Sequence, residues 1–255
     1  MIKEDIDRAA SLMLASDYVV GLTGAGISVE SGIRPFRGPG GLWTEYGEPP
    51  MDGYQRFLAN PKRHWEQISR KEGYLGELYK ALEGAKPHPA HYALAELEEL
   101  GVLKYLITQN VDNLHRAAGS KKVAEIHGNF FRMRCIQCNS RYEQEEISLE
   151  SIPPLCPKCA GIIKTDGVMF GEPIPLDVLE VCQREVGNSD CILSVGTSAF
   201  VYPAAGFPKQ VKRNGGVLIE IGPYETELTA LCDISIRGKA GKVLPQLVDS
   251  VKFKL

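Results

Sequence analysis

The sequence predicts an α/β protein, in which a parallel sheet is covered by helices and two insertions form a smaller zinc-binding domain. Strand and helix patterns alternate at both ends of the chain, as expected for a parallel sheet with helices on its faces. Between these ends, two segments break the alternation. One of them holds two CxxC pairs, which are typical of a zinc ribbon.

Individual elements follow from hydrophobic periodicity. The predicted strands share short apolar runs and are expected at 18–23, 103–108, 191–195, 216–221 and 234–236. The predicted helices are expected at 5–16, 89–100, near 204–213 and, as a short helix, at the C-terminus. The helix at 89–100 has the clearest limits, because Pro89 suits a first helical position and Gly101 suits a stop.

The two insertions are expected to build the smaller domain together. Residues 38–86 are rich in glycine, proline and aromatic residues before they become helical, and residues 131–163 hold the cysteines. The sheet domain then consists of residues 1–37, 87–130 and 164–255.

Composition narrows the class of protein. The net charge is -3, so the chain lacks the basic surface that nucleic acids and anionic membranes attract. The charged start of the chain and the lack of a long apolar run predict neither a signal peptide nor a membrane span. Three scattered cysteines, Cys182, Cys191 and Cys232, suit buried thiols in a reducing cytoplasm.

The clustered cysteines predict one structural zinc ion. Cys135 and Cys138 are separated by seventeen residues from Cys156 and Cys159. Two CxxC turns can complete a tetrahedron of thiolates, which leaves no open position for a substrate. Two redox pairs or unrelated thiols are the alternative interpretation.

Two loops of small residues follow predicted strands. Gly24-Ala25-Gly26 follows the first strand, and Gly196-Thr197-Ser198 follows a later one. In an open α/β sheet both loops lie at the carboxyl edge, where phosphate-bearing nucleotides bind. Val29 stands where a GxGxxG motif has its third glycine, so a tight turn without a ligand is the alternative.

A polar cluster follows the strand at 103–108. Gln109, Asn110 and Asp112 are costly to bury there without partners. Asp112 alone could cap a helix, but this does not explain its two neighbours. His127 follows in an apolar setting, where a structural role is the more common alternative to catalysis.

Taken together, these motifs resemble the sirtuin family of NAD-dependent protein lysine deacylases. The motifs are GAGIS-x-ES-GI, TQNVDNLH, IHG, the two CxxC pairs, FGE at 170–172 and GTS at 196–198, in this order. The resemblance covers residues 18 to 240 and implies a Rossmann-like large domain with a small zinc-bearing domain. NAD and an acyl-lysine peptide would meet in the cleft between them.

The resemblance also implies residue roles. NAD contacts are expected at Gly24, Ala25, Gly26, Glu30, Phe36, Arg37, Gln109, Asn110, Asp112, Gly196, Thr197, Ser198, Glu220 and Ala240. The peptide is expected to add as a β-strand beside Val168, Met169, Phe170, Gly171 and Val201. Asn110 and His127 would be catalytic, with His127 as the general base. The four cysteines would hold the zinc ion.

The implied reaction consumes NAD as a co-substrate. The acetyl-lysine oxygen attacks ribose C1′ as nicotinamide leaves, and His127 removes a proton from the ribose hydroxyls. The products are deacetylated lysine and O-acetyl-ADP-ribose. Deacylation of longer chains, mono-ADP-ribosylation, or a zinc-ribbon module that binds nucleic acid or protein are the alternatives. We expect a monomer that binds neither nucleic acid nor membrane.

Several positions depart from the family pattern. Arg34-Pro35 stands before Phe36 where the family more often has Pro followed by Asp or Thr. Gly167 replaces a β-branched residue, and Gly222 replaces an Asn that contacts the adenosine ribose. Succinyl-removing members use a Tyr and an Arg three residues apart, and the matching positions here are Ile68 and Lys71. Neither side chain offers the hydroxyl or the bidentate fork, so we expect neutral acyl groups, with acetyl first.

Overall fold

The computed structural model describes residues 2–71 and 73–255. Met1 and Glu72, which fall within the predicted domain ranges, lie outside the described residues. The helices are α1 Ile2–Leu14, α2 Leu42–Tyr46, α3 Gly53–Ala59, α4 Pro61–Arg70, α5 Gly73–Gly84, α6 Pro89–Glu99, α7 Leu114–Ala117, α8 Leu176–Asn188, α9 Gly206–Arg213 and α10 Ala240–Lys254. The strands are β1 Val19–Thr23, β2 Leu103–Thr108, β3 Val123–Glu125, β4 Arg132–Cys135, β5 Arg141–Glu143, β6 Ile163–Thr165, β7 Cys191–Val195, β8 Val217–Gly222 and β9 Ile234–Arg237.

Six strands form a parallel sheet in the order β3-β2-β1-β7-β8-β9. The strand order reverses its direction between β1 and β7. Thr23 at the end of β1 is level with Thr108 of β2 and Val195 of β7. The loops that follow these three strands therefore meet at one edge of the sheet, which is where ligands bind in this class of fold.

Helices cover both faces of this sheet. On one face, α10 packs against α1 and α6, while α1 contacts β9 and α6 contacts β2. Their core includes Met13, Leu94, Leu97 and Leu247. On the other face, α8 and α9 contribute Cys182, Val186, Phe207 and Val211. The near-continuous apolar strands reflect this burial on both sides.

A separate three-stranded antiparallel sheet, β5-β4-β6, carries the cysteines. Its core packs against helix α4 through Trp65, which is 2% exposed and contacts the cluster that contains Met133 and Ile163. The Trp65 indole donates a hydrogen bond to the Ile163 carbonyl at 3.1 Å. Helix α4 and the ribbon are thus joined by both packing and a hydrogen bond.

The predicted fold class is confirmed, and the five predicted strands match β1, β2, β7, β8 and β9 within one or two residues. Three elements differ from expectation. Helix α8 and the three-residue strand β3 are absent from the sequence-based expectation, and α10 runs for 15 residues rather than being short. Helix α10 continues through Pro245, although an interior proline usually ends or kinks a helix. Within residues 2–71 and 73–255, no helix is long and apolar enough to cross a membrane.

Candidate active site

A cavity of about 1540 Å³ lies at the carboxyl ends of β1, β2, β7 and β8. All but one of the predicted NAD, catalytic and peptide residues contribute to its wall. The exception is Asp112, which lies behind it. Residues from the first insertion, including Trp43 and Ile68, also line the cavity. The structure therefore brings the predicted residues together around one space.

The two glycine-containing loops are packed directly against each other. The amide of Gly24 donates to the Val195 carbonyl at 3.1 Å, and the amide of Gly26 donates to the Gly196 carbonyl at 2.8 Å. A Cβ at Gly26 would lie 2.7 Å from that Gly196 oxygen. Glycine is needed here because the loops approach so closely. These two amides already have acceptors, so the first role of the glycines is to join the two halves of the sheet.

Asn110 lines the cavity and has one unpaired acceptor atom. Its Nδ2 donates to the Gly24 carbonyl at 3.2 Å and to Ser28 Oγ at 3.0 Å. Its Oδ1 is buried and has no hydrogen-bond partner among the described residues. A buried orphan oxygen is costly unless a ligand satisfies it. The carboxamide N–H of nicotinamide is a group that could donate to it, so this site fits NAD.

Asp112 supports Asn110 from behind. Ser28 Oγ donates to its Oδ2 at 2.6 Å, and the amide of Leu114 donates to its Oδ1 at 3.0 Å. Burial raises the pKa of Asp112, although the bonds from Ser28 and Leu114 oppose this rise. The simple capping interpretation is therefore partly right, because Asp112 binds the first amide of α7. Its second oxygen fixes the serine that holds Asn110.

His127 has one defined tautomer. Its Nδ1 lies 3.1 Å from the carbonyl oxygen of Gln109. Because a carbonyl can only accept, Nδ1 carries the proton and Nε2 of the neutral ring is left with its lone pair. Burial lowers the pKa of His127 below its ordinary value of 6.5, although the Gln109 contact opposes this. The ring is therefore neutral at physiological pH and able to accept a proton.

The loop after the first strand places aromatic and basic side chains at the cavity. The Phe36 and Trp43 rings lie 4.8 Å apart, and the Trp43 and Phe170 rings lie 5.5 Å apart. The Arg37 guanidinium lies over Trp43, 4.4 Å from the ring centroid. Its Nε also binds Glu48 at 2.8 Å. Arg37 is thus at the wall but is held by a carboxylate.

Glu220 is buried and already fully bound. Its carboxylate accepts hydrogen bonds from Thr226, and from Thr229 Oγ1 at 2.8 Å, Ser235 Oγ at 2.8 Å and Arg237 Nη2 at 2.7 Å. Burial alone would raise the pKa of Glu220, but these bonds lower it. Its two oxygens therefore stabilise the β8–β9 end of the site.

The carboxylate of Glu30 is also bound within the protein, whereas Gly222 borders empty space. The Glu30 carboxylate accepts from the Gly241 amide at 2.8 Å, at the start of α10 next to Ala240. This contact suits the positive end of a helix. A Cβ at Gly222 would meet no atom within 4 Å, so the departure from Asn leaves space at this end of the cavity.

The segment from Val168 to Gly171 forms another wall, and its backbone is held from below. The amide of Val168 donates to the His127 carbonyl at 2.8 Å. The Lys164 ammonium, which is 0% exposed, donates to the Gly167 carbonyl at 2.6 Å. The Glu172 carboxylate accepts from the amide of Met169 at 2.8 Å. These contacts set the shape of the segment before any peptide arrives.

The four predicted metal ligands converge. The sulfurs of Cys135 and Cys159 are 3.6 Å apart, those of Cys138 and Cys156 are 3.7 Å apart, and all four lie within 4.8 Å of one another. A tetrahedral zinc ion with bonds of about 2.3 Å separates its sulfurs by about 3.8 Å. The cluster therefore fits one zinc ion with four thiolates, as predicted.

Sequence reasoning missed several residues of the site. Ser28 is the last residue of the GAGIS motif, and its membership of that motif is the sequence signal that could have identified it. Lys164 and Arg134 had no signal, because charged residues in short strands are usually exposed. Both are buried here, and Arg134 binds Asp166 at 2.6 Å and Glu172 at 2.5 Å.

Comparison with known proteins agrees with this geometry. The model of the Sir2 family matches residues 24–203. NAD-dependent protein deacylase 1 of Archaeoglobus fulgidus is 48% identical over 251 residues, which cover 98% of this chain and 99% of that protein. The NAD-dependent protein deacylase of Thermococcus kodakarensis is 45% identical over 253 residues, with 97% and 96% coverage.

Solved structures give the same result. A Sir2 homologue in complex with NAD has a TM-score of 0.82 and 45% identity, and the match covers 97% of this chain and 94% of that one. A Sir2 variant with a deacetylated p53 peptide and 3′-O-acetyl ADP-ribose has a TM-score of 0.81 and 32% identity, with 96% and 97% coverage. The chain therefore belongs to the Sir2 family.

Proposed function

We propose that this protein is an NAD-dependent protein lysine deacetylase that transfers the acetyl group to ADP-ribose. The main support is that Asn110, whose Oδ1 has no hydrogen-bond partner, and His127, whose imidazole is neutral, line the same cavity. A relative bound to NAD, and others bound to p53 peptide with NAD or with an acetyl ADP-ribose, support the same reaction class.

In this proposal NAD supplies an anomeric carbon whose bond to nicotinamide can break. Asn110 Oδ1 accepts from the nicotinamide amide, and Ser28 and Asp112 keep the Asn110 side chain in place. Phe36 shields the ribose from water, which favours attack by the acyl-lysine oxygen over hydrolysis. His127 Nε2 takes a proton from the ribose hydroxyls, a role worth about 10²–10⁴-fold.

The remaining assignments are part of the same proposal. The NAD diphosphate lies against Ala25, Thr197 and Ser198, and Arg37 reaches it after leaving Glu48. The adenosine end lies near Ala240 and the space at Gly222. Glu30, Gln109, Gly24, Gly26, Gly196, Asp112 and Glu220 shape the site, chiefly through contacts within the protein.

The peptide adds as a strand between the Val168–Gly171 segment and the loop that contains Val201. This is supported by the presence of both segments on the cavity wall and by the fixed backbone of the first. The smaller domain comprises 38–86 and 131–163, and its zinc ion is structural because four thiolates leave no open position. We further propose a cytoplasmic monomer without nucleic-acid partners, supported by the net charge of -3 and the free thiols.

Acyl preference is proposed to be for neutral groups. Ile68 lies on the cavity wall, whereas Lys71 forms an ion pair with Glu83 at 2.6 Å and does not line it. A succinyl carboxylate would find neither a hydroxyl nor a free cation at these positions, and a buried unpaired carboxylate is costly.

The deciding experiment uses acetyl, succinyl and myristoyl forms of one peptide with NAD, read by mass spectrometry. We expect nicotinamide and O-acetyl-ADP-ribose in equal amounts from the acetyl peptide, and little reaction with the succinyl peptide. Label transferred from NAD onto protein without acyl-ADP-ribose would instead show an ADP-ribosyltransferase. A higher rate with the myristoyl peptide would make the enzyme a long-chain deacylase.

A further inference from the structure

We propose that Arg34 is a positioning residue, which anchors the NAD-site loop to helix α5 so that Phe36 and Arg37 face the cavity before NAD binds. The NAD-site loop is defined here as residues 35–46. This inference rests on the proposed function, because its consequence is a change in NAD affinity. It assigns a role to the residue that departs from the family pattern.

Arg34 joins three separate parts of the chain. Its Nε donates to the carbonyl of Gly40 at 2.9 Å, inside the NAD-site loop. Its Nη2 binds Glu45 at 2.6 Å, in the short helix α2 at the end of the loop. Its Nη1 binds Glu77 at 2.7 Å, in helix α5. A planar guanidinium spreads its donors over three nitrogens and can reach three separated acceptors at once, whereas the donors of a lysine all lie on one nitrogen.

Glu77 is held from two sides by the same loop. Besides the bond from Arg34 to Oε1, the Tyr46 hydroxyl donates to Oε2 at 3.0 Å. These two hydrogen bonds lower the pKa of Glu77, and the bond from Arg34 has the larger effect. The carboxylate is therefore ionised across the physiological range, and it ties both ends of the NAD-site loop to α5.

The NAD-site loop also holds its own shape. The Pro35 carbonyl accepts from the amide of Leu42 at 2.9 Å, and the Phe36 carbonyl accepts from the amide of Trp43 at 2.8 Å. Because these hydrogen bonds join the two ends of the loop, we expect it to move as one rigid piece. The positions of Phe36 and Arg37 then depend on how the loop is attached to helix α5, and Arg34 makes that attachment.

An anchored loop reduces the ordering that NAD binding must impose. The apparent dissociation constant rises in proportion as the binding-competent state becomes less populated. The Arg34, Glu45 and Glu77 side chains are 33%, 56% and 35% exposed, so salt should screen their attraction. NAD affinity is therefore expected to fall as ionic strength rises, through these pairs.

The test measures NAD binding directly, by quenching of tryptophan fluorescence or by calorimetry, with no turnover required. We expect Arg34→Met to raise the dissociation constant for NAD about 3- to 10-fold, with kcat and the KM for peptide changed by less than about twofold. Arg34→Lys should recover part of the loss. The salt dependence of NAD affinity should be weaker in Arg34→Met than in the parent.

Two further variants make the result specific. Lys71→Met breaks the pair between Lys71, which follows α4, and Glu83 near the end of α5. Neither residue lines the cavity, so this variant should leave NAD affinity unchanged. Glu77→Gln should weaken NAD binding, and the double variant with Arg34→Met should be no worse than Arg34→Met alone, because both act on one contact.

The possible outcomes separate the two proposals. If the parent binds NAD and Arg34→Met binds it equally well, the anchoring role is wrong while the proposed function stands. If Lys71→Met weakens NAD binding as much as Arg34→Met, the effect comes from general loosening of α5 and the inference is also wrong. If the parent binds no NAD at all, the proposed function itself fails.

Discussion

Replacing Glu172 with glutamine should loosen the peptide-binding segment while leaving the NAD site intact. The Glu172 carboxylate is 3% exposed and binds Arg134 Nη2 at 2.5 Å, the Met169 amide at 2.8 Å and Lys164 Nζ at 3.1 Å. Glutamine keeps the volume but removes the charge, so Lys164 loses its ion-pair partner. Arg134 keeps its pair with Asp166. We therefore expect a higher KM for peptide and an unchanged KM for NAD.

The magnitude follows from the behaviour of Lys164. Burial lowers the pKa of Lys164 from its ordinary value of 10.5 to about 8, and Glu172 opposes this. At pH 7 such a lysine can lose its proton at a cost of about 1.4 kcal/mol. This cost limits the contribution of Lys164 to the loss of folding stability in the variant. One lost hydrogen bond at the amide side of the glutamine adds about 1 kcal/mol. The expected loss of stability is about 2–3 kcal/mol, below the 3–5 kcal/mol usual for a broken buried pair.

The sign of the pH dependence can be derived from the same pKa. Between its folded value of about 8 and its unfolded value of about 10.5, Lys164 binds more protons in the unfolded chain, so stability of the parent rises with pH there. Without Glu172 the folded pKa falls further, and the variant begins this rise at lower pH. The gap between the stabilities of parent and variant is therefore largest at low pH, narrows as the pH rises towards 8 and stays constant above it.

The assay is urea unfolding at pH 6, 7 and 9, together with Michaelis kinetics for peptide and NAD. Glu145→Gln removes an exposed charge from the same ribbon and serves as the matched control. A destabilisation of Glu172→Gln that stays constant from pH 6 to 9, or grows, would refute the assignment of its energy to Lys164.

Three other predictions concern the rest of the site. His127→Ala should lower kcat by about 10²–10⁴-fold with NAD binding retained, and turnover like that of the parent would contradict this. The rate of the parent enzyme should decline only below pH 6.5, because burial lowers the pKa of His127. Chelation should remove one zinc ion per chain and shift Trp65 emission, as should Cys135→Ala, since Trp65 packs on the ribbon; a metal-free chain that melts like the parent would oppose a structural role. Glu48→Gln should lower the KM for NAD by freeing Arg37, whereas a raised KM would show that Glu48 helps NAD binding.

The sheet could be predicted because its signals are local. Each of the strands at 103–108 and 191–195 is an apolar run bounded by polar or glycine residues, and Pro89 and Gly101 mark a helix by their own backbone chemistry. Helix α8 has apolar residues at helical spacing, including Val178 and Cys182, so its signal was present and was overlooked. The full length of α10 depends on its packing against α1 and α6, which outweighs the cost of the interior Pro245.

The chemistry of the site could be predicted only in part, because it depends on partners distant in sequence. Asn110 is recognisable from its motif, but the orphan state of its Oδ1 depends on Gly24 and Ser28, more than eighty residues away. Glu220 shows the same dependence. The resemblance predicts an NAD contact there, whereas the hydrogen bonds to its oxygens come from residues of the next turn and strand, such as Ser235 and Arg237.

The central position of β1 has a consequence for synthesis of the chain. One of its two edges pairs with β2, but the other waits for β7, and Cys191 lies 168 residues after Thr23. At about 5–20 residues per second, a ribosome needs roughly 10–30 s to cover that interval. During this time a strand of the nascent chain presents an unpaired, apolar edge to its surroundings. Premature release before β7 emerges would therefore yield an aggregation-prone half-sheet without enzymatic activity.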